Sequence, residues 1–478
     1  MRSKGETRRG AAGRESAAPS PPAETGRDAS PSDQTAAPAP PPPALHCPHF
    51  PPCRGCPRIP VPYAEQLDAK RQALIEALGD LLPAGFGVAD TIPSPRLEGY
   101  RNQARLVFRR MSRGGRARVG LGLYLPGTHR VVHIPQCPIQ PGRLNAIAHS
   151  VIRLAEELRL TVYDERHGTG SLRYLAMRCD RSRQHVLVTL IVGEDAGRPL
   201  RQLAEALREQ HPGIVGVGLR VNRTHGNVLF AGEDAWTLGA DRLEDRLGRL
   251  RVLVPAQSFM QVNHAQAEWI YARLEERLGT PGGGQGAEFD AASEPDRNDT
   301  PTHEGANGET INATVPGETS ASFTGDVREV VLDLYSGIGG IALHLARAGR
   351  LVVGVEEAPE AVEDARRAAH MNSVPGARFV AARVEEFLGD AQRRATDLAG
   401  LPLGALVLNP PRSGCRDGVM QAVAALAPER IAYASCNPAT LARDLRILGP
   451  GYVIDELTPI DMIPLTQHVE SLCFLRRV

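Results

Sequence analysis

The stretch VVLDLYSGIGG, residues 330–340, decides the fold. An apolar run carries the chain into a turn with glycine at 337, 339 and 340, and a helix-like segment begins near Ile341. A strand that breaks on glycine into a helix is a building unit of parallel α/β sheets, and its glycines let a ligand approach the backbone. Outward from this turn the alternation repeats: RLVVGVEE at 350–357, ARFVAA at 377–382, GALVLNPP at 404–411, RIAYASC at 430–436 and a terminal SLCFLRR at 471–477. Apolar strands alternating with helix-like segments predict a doubly wound parallel sheet, Rossmann-like, from residue 330 onward.

Such sheets bind ligands at the carboxyl ends of their strands, and the distinctive residues cluster there. Glu356 ends the second strand about 20 positions after the glycine turn, a placement that lets a carboxylate accept hydrogen bonds from ribose hydroxyls. The turn is not G-x-G-x-x-G, so S-adenosylmethionine is favoured over a pyrophosphate dinucleotide. The plainer alternative is that Gly337 and Gly339 serve tight packing and Glu356 is a helix N-terminal acid. Asn409 delivers an amide from the fourth strand, in a loop stiffened by Pro410 and Pro411. Cys436 stands between Ile431–Ala434 and an Asn437-Pro438 turn, which presents its thiol at the same edge as a nucleophile. Its alternative is a small packing residue.

At 478 residues the chain exceeds one ordinary domain. It has no run of about 18 apolar residues and no apolar signal core, so we expect a cytoplasmic protein without membrane association. The formal net charge of zero is unevenly spread: Thr280–Glu329 carries roughly −8, which leaves the remainder basic. Arg101, Arg105, Arg109, Arg110, Arg113, Arg116 and Arg118 crowd one segment that contains no acid, a pattern suited to a phosphate backbone or to a solvated hairpin. Cysteines at 47, 53 and 56 crowd CPHFPPCRGC, and Cys137 in HIPQCPIQP is the natural fourth ligand. Four thiolates suit either zinc or an iron–sulfur cluster. Cys179, Cys415 and Cys473 read as packing residues.

Composition divides the chain further. Residues 1–45 form a Pro/Ala-rich tail unable to bury a core, and 280–326 form an acidic low-complexity insertion. Residues 46–250 read as a cysteine-cluster and central α+β RNA-binding domain, and 251–478 as a catalytic domain that the insertion interrupts.

The ordered set CPHFPPCRGC, GYRNQARLVF, PAQSFMQVN, LDLYSGIGG, VVGVEEAPEAV, NPPRSG, ASCNPATLARD and DMIPLTQHVESL resembles the RNA (uracil-5-)-methyltransferases, the family that includes RumA, RumB and TrmA. The likeness covers about residues 46–478 apart from the insertion. It implies S-adenosylmethionine contacts from Gln261, Tyr335, Glu356 and Asn409, a nucleophile at Cys436, a general base at Glu470 and a [4Fe-4S] cluster in preference to zinc. Only the tail precedes Cys47, so an oligonucleotide-binding barrel is not expected. That lack, the cysteine cluster and Asn-Pro-Pro-Arg together resemble the RumB-like members most, which implies a uridine in 23S ribosomal RNA. The T-loop of transfer RNA is the alternative substrate.

The chemistry agrees with these roles. Uracil C5 becomes nucleophilic once a thiolate adds at C6, and a base must then take the C5 proton so that the thiol can leave. Arg412 either stabilises the enolate oxygen or holds a phosphate. Arg101 and Arg105 are the further RNA-binding candidates. No obligate protein partner is evident. Two other classes are weighed: an oxidoreductase with a cluster and a dinucleotide, and a non-catalytic RNA-binding protein on a degenerate methyltransferase fold. The latter is disfavoured by an intact Cys436 and Glu470.

Overall fold

A computed structural model describes residues 45–226, 228–279 and 329–478. The acidic insertion and the Pro/Ala-rich tail lie outside them, except Leu45, which is buried beside Tyr63 and Tyr100. After helix α1 (Tyr63–Leu78), the chain builds a sheet from β1 (Gln103–Arg113), β2 (Arg116–Tyr124), β3 (Val131–His133), β4 (Leu172–Cys179), β5 (Val186–Val192), β6 (Ile214–Val221) and β7 (Glu233–Gly239). Its order is β3-β2-β1-β4-β5-β6-β7. Only β5 and β6 pair in parallel, and helix α3 (Arg198–Gln210) makes the crossover that a parallel pair requires.

Helix α2 (Gly142–Glu157) joins α3 on one face of this sheet. Leu144, Ile147, Val151 and Leu154 recur at helical spacing, as do Leu200, Leu203 and Leu207, and both stripes close over Leu106, Phe108, Leu175 and Val188.

A two-stranded ribbon, β8 (Arg242–Leu247) and β9 (Leu250–Pro255), and helix α4 (His264–Leu278) lead to the second sheet. This comprises β10 (Val330–Leu334), β11 (Leu351–Glu356), β12 (Ala377–Ala381), β13 (Leu403–Leu408), β14 (Arg430–Ser435), β15 (Tyr452–Ile460) and β16 (Glu470–Arg477), in the order β12-β11-β10-β13-β14-β16-β15. Helices α5 (Gly340–Arg347) and α6 (Pro359–Met371) share a core with α4, β9 and one face of the sheet. On the other face lie α7 (Val384–Gly389), α9 (Val419–Leu426), α10 (Pro438–Leu448) and α1, with α8 (Ala391–Asp397) following α7.

The doubly wound sheet is therefore present, with one correction: it is mixed, because β16 runs antiparallel to both β14 and β15. The link 461–469 between β15 and β16 is too short for a crossover of a dozen or more residues, so the last two strands fold as a hairpin.

Helices α1 and α4 secure that hairpin. In α1, Tyr63 donates to Asp461 Oδ2 (2.6 Å) and the buried Lys70 ammonium pairs with Asp461 Oδ1, while the Gln266 side chain donates to the Asp461 carbonyl. Burial lowers the Lys70 pKa, and Asp461 opposes that shift. Breaking a buried pair of this kind costs about 3–5 kcal/mol, because a charge is left without its partner. The Arg58 N–H donates to the Leu465 carbonyl (3.0 Å), so the cysteine-bearing loop also touches this link. Among the described residues no helix is long and apolar enough to cross a membrane.

Candidate active site

The turn after β10 is wound left-handed at Tyr335 (φ 63°), Gly337 (φ 56°) and Gly339 (φ 81°). The two proposed roles of glycine separate here. A Cβ on Gly339 would stand 2.6 Å from Phe379 Cζ, so that glycine serves packing, whereas a Cβ on Gly337 would meet nothing within 4 Å. Open space therefore lies beside Gly337. Glu356 spans this turn: one carboxylate oxygen accepts the Gly337 N–H and the other the Ala358 N–H, each at 3.0 Å.

Beneath the turn, Asp333 is fully buried. Its Oδ2 accepts the Ala342 N–H at the start of α5 (3.0 Å), while its Oδ1 and the hydroxyl of Ser336 have no partner. Burial, opposed by Ala342 and helped by the Glu356 charge, pushes Asp333 up to about 8. Orphaned buried acceptors and hydroxyls are rare in native proteins, and a polar ligand at this turn would satisfy them.

Asn409 leaves β13 beside the same turn, its N–H donating to the Leu334 carbonyl (3.3 Å). Gln261 lies in the loop between β9 and α4, which is laced to the first sheet. Arg178 donates to the Ser258 carbonyl (2.6 Å), Gln103 to Met260 (3.0 Å), the Asn102 side chain to Gln261 (2.9 Å) and the Asn102 N–H to Val262 (2.9 Å). The same loop presents Phe259 with 68% of its surface exposed.

At the next strand end, Cys436 is half-buried between β14 and α10, whose cap Asn437 accepts from the Ala439 N–H. Asn437 also donates to the Arg412 carbonyl (3.2 Å), which ties the Asn-Pro-Pro-Arg loop to the cysteine turn. Glu470, the first residue of β16, is 6% exposed and thus no surface charge. Burial pushes its carboxyl up to about 7. Burial also raises the Cys436 thiol, the Glu470 charge raises it further, and the Arg412 guanidinium pulls it down. The Cys436 thiol is therefore close enough to sense the charges of both Glu470 and Arg412.

The four N-terminal thiols also gather. Cys53 N–H donates to the His49 carbonyl (2.8 Å), and the His49 ring contacts the backbone of Gln136 (2.7 and 3.3 Å), next to Cys137. Asn145 brackets Cys137 through its N–H and its carbonyl, both at 3.0 Å. Burial, then the charges of Cys137, Cys53 and Cys47, push Cys56 up to about 12; burial, opposed by backbone N–H groups and helped by Cys53 and Cys47, pushes Cys137 up to about 11. The neighbouring Tyr100 hydroxyl is buried without a partner. Among the described residues no three His, Cys, Asp or Glu side chains are drawn into a metal-holding group, so the thiols are neighbours but not in ligating geometry.

The arginine stripe is less free than its sequence suggests. Arg109 donates to the Val131 carbonyl and Arg118 pairs with Glu156. Arg105 is exposed with its guanidinium over the Phe230 ring (5.6 Å), and Arg101 lies near Cys56, whose pKa its charge lowers. Sequence reasoning missed Asp333, Ser336, the donors Asn102, Gln103 and Arg178, and His468, whose Nδ1 meets Arg412 Nη2 at 3.1 Å. Asp333 carried a signal, a charge inside an apolar strand; the others acquire meaning only through contacts distant in sequence.

Known proteins resemble this arrangement. The model of the tRNA (uracil-5-)-methyltransferase family matches residues 317–478. An uncharacterised RNA methyltransferase of Gloeobacter violaceus is 33% identical over 90% of this chain and 82% of its own. One from Geobacter sulfurreducens is 34% identical over 88% of this chain and 75% of its own. Among solved structures, the Pyrococcus abyssi tRNA (uracil-54, C5)-methyltransferase in complex with S-adenosyl-L-homocysteine has a TM-score of 0.65 and 25% identity, covering 88% of this chain and 86% of that one.

Proposed function

Since the chain belongs to the tRNA (uracil-5-)-methyltransferase family and is an S-adenosylmethionine-dependent RNA methyltransferase, we propose that it methylates C5 of a uridine in 23S ribosomal RNA through a covalent adduct on Cys436. The observation that carries the covalent reading is the convergence of Cys436, Glu470 and Arg412 at the ends of β14, β16 and β13. The ribosomal target rests on the RumB-like combination of cysteine cluster and Asn-Pro-Pro-Arg. A transfer-RNA uridine is the second reading, favoured by the likeness to the Pyrococcus enzyme.

In this reading Cys436, as thiolate, forms a bond to uracil C6, and the electron pair displaced from the C5–C6 double bond becomes available at C5. S-adenosylmethionine supplies an electrophilic methyl group to that carbon. The Glu470 carboxylate then takes the C5 proton, the double bond reforms, and the C6–sulfur bond breaks to return the thiolate. Arg412 holds positive charge beside the thiol and the developing enolate.

Gly337, Tyr335, Glu356, Asn409 and Gln261 would hold the cofactor, with the orphaned Asp333 and Ser336 atoms as additional partners. Gly339 serves the same turn by packing. Arg101 and Arg105 would contact RNA. The target base must be unstacked to reach Cys436, because C6 is shielded within a helix. The enzyme would act in the cytoplasm.

Mapping 5-methyluridine in ribosomal and transfer RNA, with and without the gene, tests the substrate. We expect loss at one 23S position; loss at a transfer-RNA position instead selects the second reading, and loss at neither rejects both.

We further assign a [4Fe-4S] cluster to Cys47, Cys53, Cys56 and Cys137. The donor set supports it: four adjacent thiols, of which Cys56 and Cys137 are costly to ionise where they stand, and a buried Tyr100 hydroxyl that lacks an acceptor. Such a cluster would staple the 47–56 loop to the segment around Cys137. Anaerobically purified protein should contain iron and sulfide with broad visible absorption, both lost in Cys56→Ser. Stoichiometric zinc would refute the assignment.

A further inference from the structure

We propose that His468 is a positioning residue for Arg412: its neutral imidazole accepts a hydrogen bond at Nδ1 and so holds the guanidinium beside Cys436. This rests on the covalent reading of the site and adds a residue to it. A guanidinium has only donors. The 3.1 Å contact between Arg412 Nη2 and His468 Nδ1 therefore requires a lone pair on Nδ1 and places the ring proton on Nε2. A doubly protonated ring would set two cations against each other at that distance.

The surroundings favour the neutral ring. Partial burial lowers the pKa of His468, and the charges of Arg412 and of Lys70 in α1 lower it further. Lys70 itself is paired with Asp461, and further ionisable groups of this region are Glu470, two positions along the chain, and Cys436, which senses both Arg412 and Glu470.

Both partners have anchored backbones. The His468 N–H donates to the Thr466 hydroxyl (3.2 Å), which itself donates to the Ile463 carbonyl (2.7 Å). The Arg412 carbonyl accepts from Asn437 (3.2 Å). What stays adjustable is the long, exposed Arg412 side chain, which loses considerable rotamer freedom when fixed. His468 fixes it. Without that acceptor the guanidinium spreads into solvent, and Cys436 loses the one nearby charge that lowers its pKa.

The readout is the pH dependence of iodoacetamide alkylation at Cys436, followed on its peptide by mass spectrometry in the full-length protein. His468→Ala should raise the apparent thiol pKa by about one unit, the size expected when an opposite charge is lost from the immediate neighbourhood. His468→Asn should restore it, because the amide oxygen takes the place of Nδ1. In an Arg412→Ala background the pKa should already be raised, and adding His468→Ala should change nothing more. Methyl transfer should follow, with kcat down about tenfold in His468→Ala and recovered in His468→Asn.

No shift in His468→Ala, an equal shift in both backgrounds, or failure of Asn to restore the pKa would overturn the proposal. Alkylation needs neither RNA nor cofactor. An enzyme that methylates without a covalent adduct therefore refutes the covalent reading while His468 is still judged on the thiol.

Discussion

Cys436→Ala should abolish methyl transfer, with a fall of at least about four orders of magnitude, or ~5.5 kcal/mol of barrier. On the proposed mechanism the thiolate is what activates C5, and unactivated uracil is a poor nucleophile at that carbon. The substitution removes only a sulfur from a half-buried position that Asn437 caps independently, so the fold should persist. Cofactor binding should persist too, because the glycine turn lies at a different strand end. The checks are tritium transfer from labelled cofactor to RNA and a denaturation-resistant protein–RNA band. Both should be present in the parent protein and absent in the variant; full activity in the variant would sink the covalent mechanism.

Glu470→Gln should produce a different failure. The amide keeps the shape and burial of the side chain but cannot accept a proton, so turnover should fall by about 10²–10⁴, the usual worth of a general base. On the proposed mechanism bond formation at C6 and methyl transfer precede the proton abstraction. The variant should therefore accumulate a covalent protein–RNA species that carries the new methyl group.

The pH dependence has a definite sign. As the proposed base Glu470 would work as a carboxylate, and burial pushes its pKa up to about 7, so kcat should decline below about pH 7 by up to tenfold per unit and recover above it. Cys436, also raised, adds to the same trend because only its thiolate attacks. The two titrations are coupled, since a neutral Glu470 no longer opposes ionisation of the thiol, so the apparent values belong to the pair. Residual turnover of Glu470→Gln should lack the limb near 7. An unchanged acid limb in that variant would assign the base to another group.

Much of this site was readable because its parts are local. The run 330–340, the acid at 356, the amide at 409 and the thiol at 436 each end a strand, and parallel strands bring their carboxyl ends to one edge without further information. What escaped depends on contacts across long separations. The arginine stripe looked uniformly free, yet Arg109 and Arg118 are engaged by a neighbouring strand and by helix α2. Glu470 has no local sequence signal of burial, yet it opens a strand buried in the sheet. β15 went unrecognised because YVIDELTPI interrupts its apolar alternation with Asp455 and Glu456, which pair with arginines of α4. The antiparallel turn of the last hairpin followed from link length, which cannot be read until β15 is seen.

The sheet order has a consequence for how the enzyme comes into being. β16 is synthesised after β14 and β15 yet lies between them, so those two strands have no shared edge until the final strand arrives. Its loop is then gripped by α1, made almost 400 residues earlier (Tyr63 and Asp461 are 398 positions apart). Cys436 and the glycine turn, the proposed nucleophile and cofactor site, are thus synthesised before Glu470, the residue proposed as their base. The candidate site is therefore completed by the last strand to be made: on the proposed mechanism a chain that lacked β16 could begin the reaction but could not release its product.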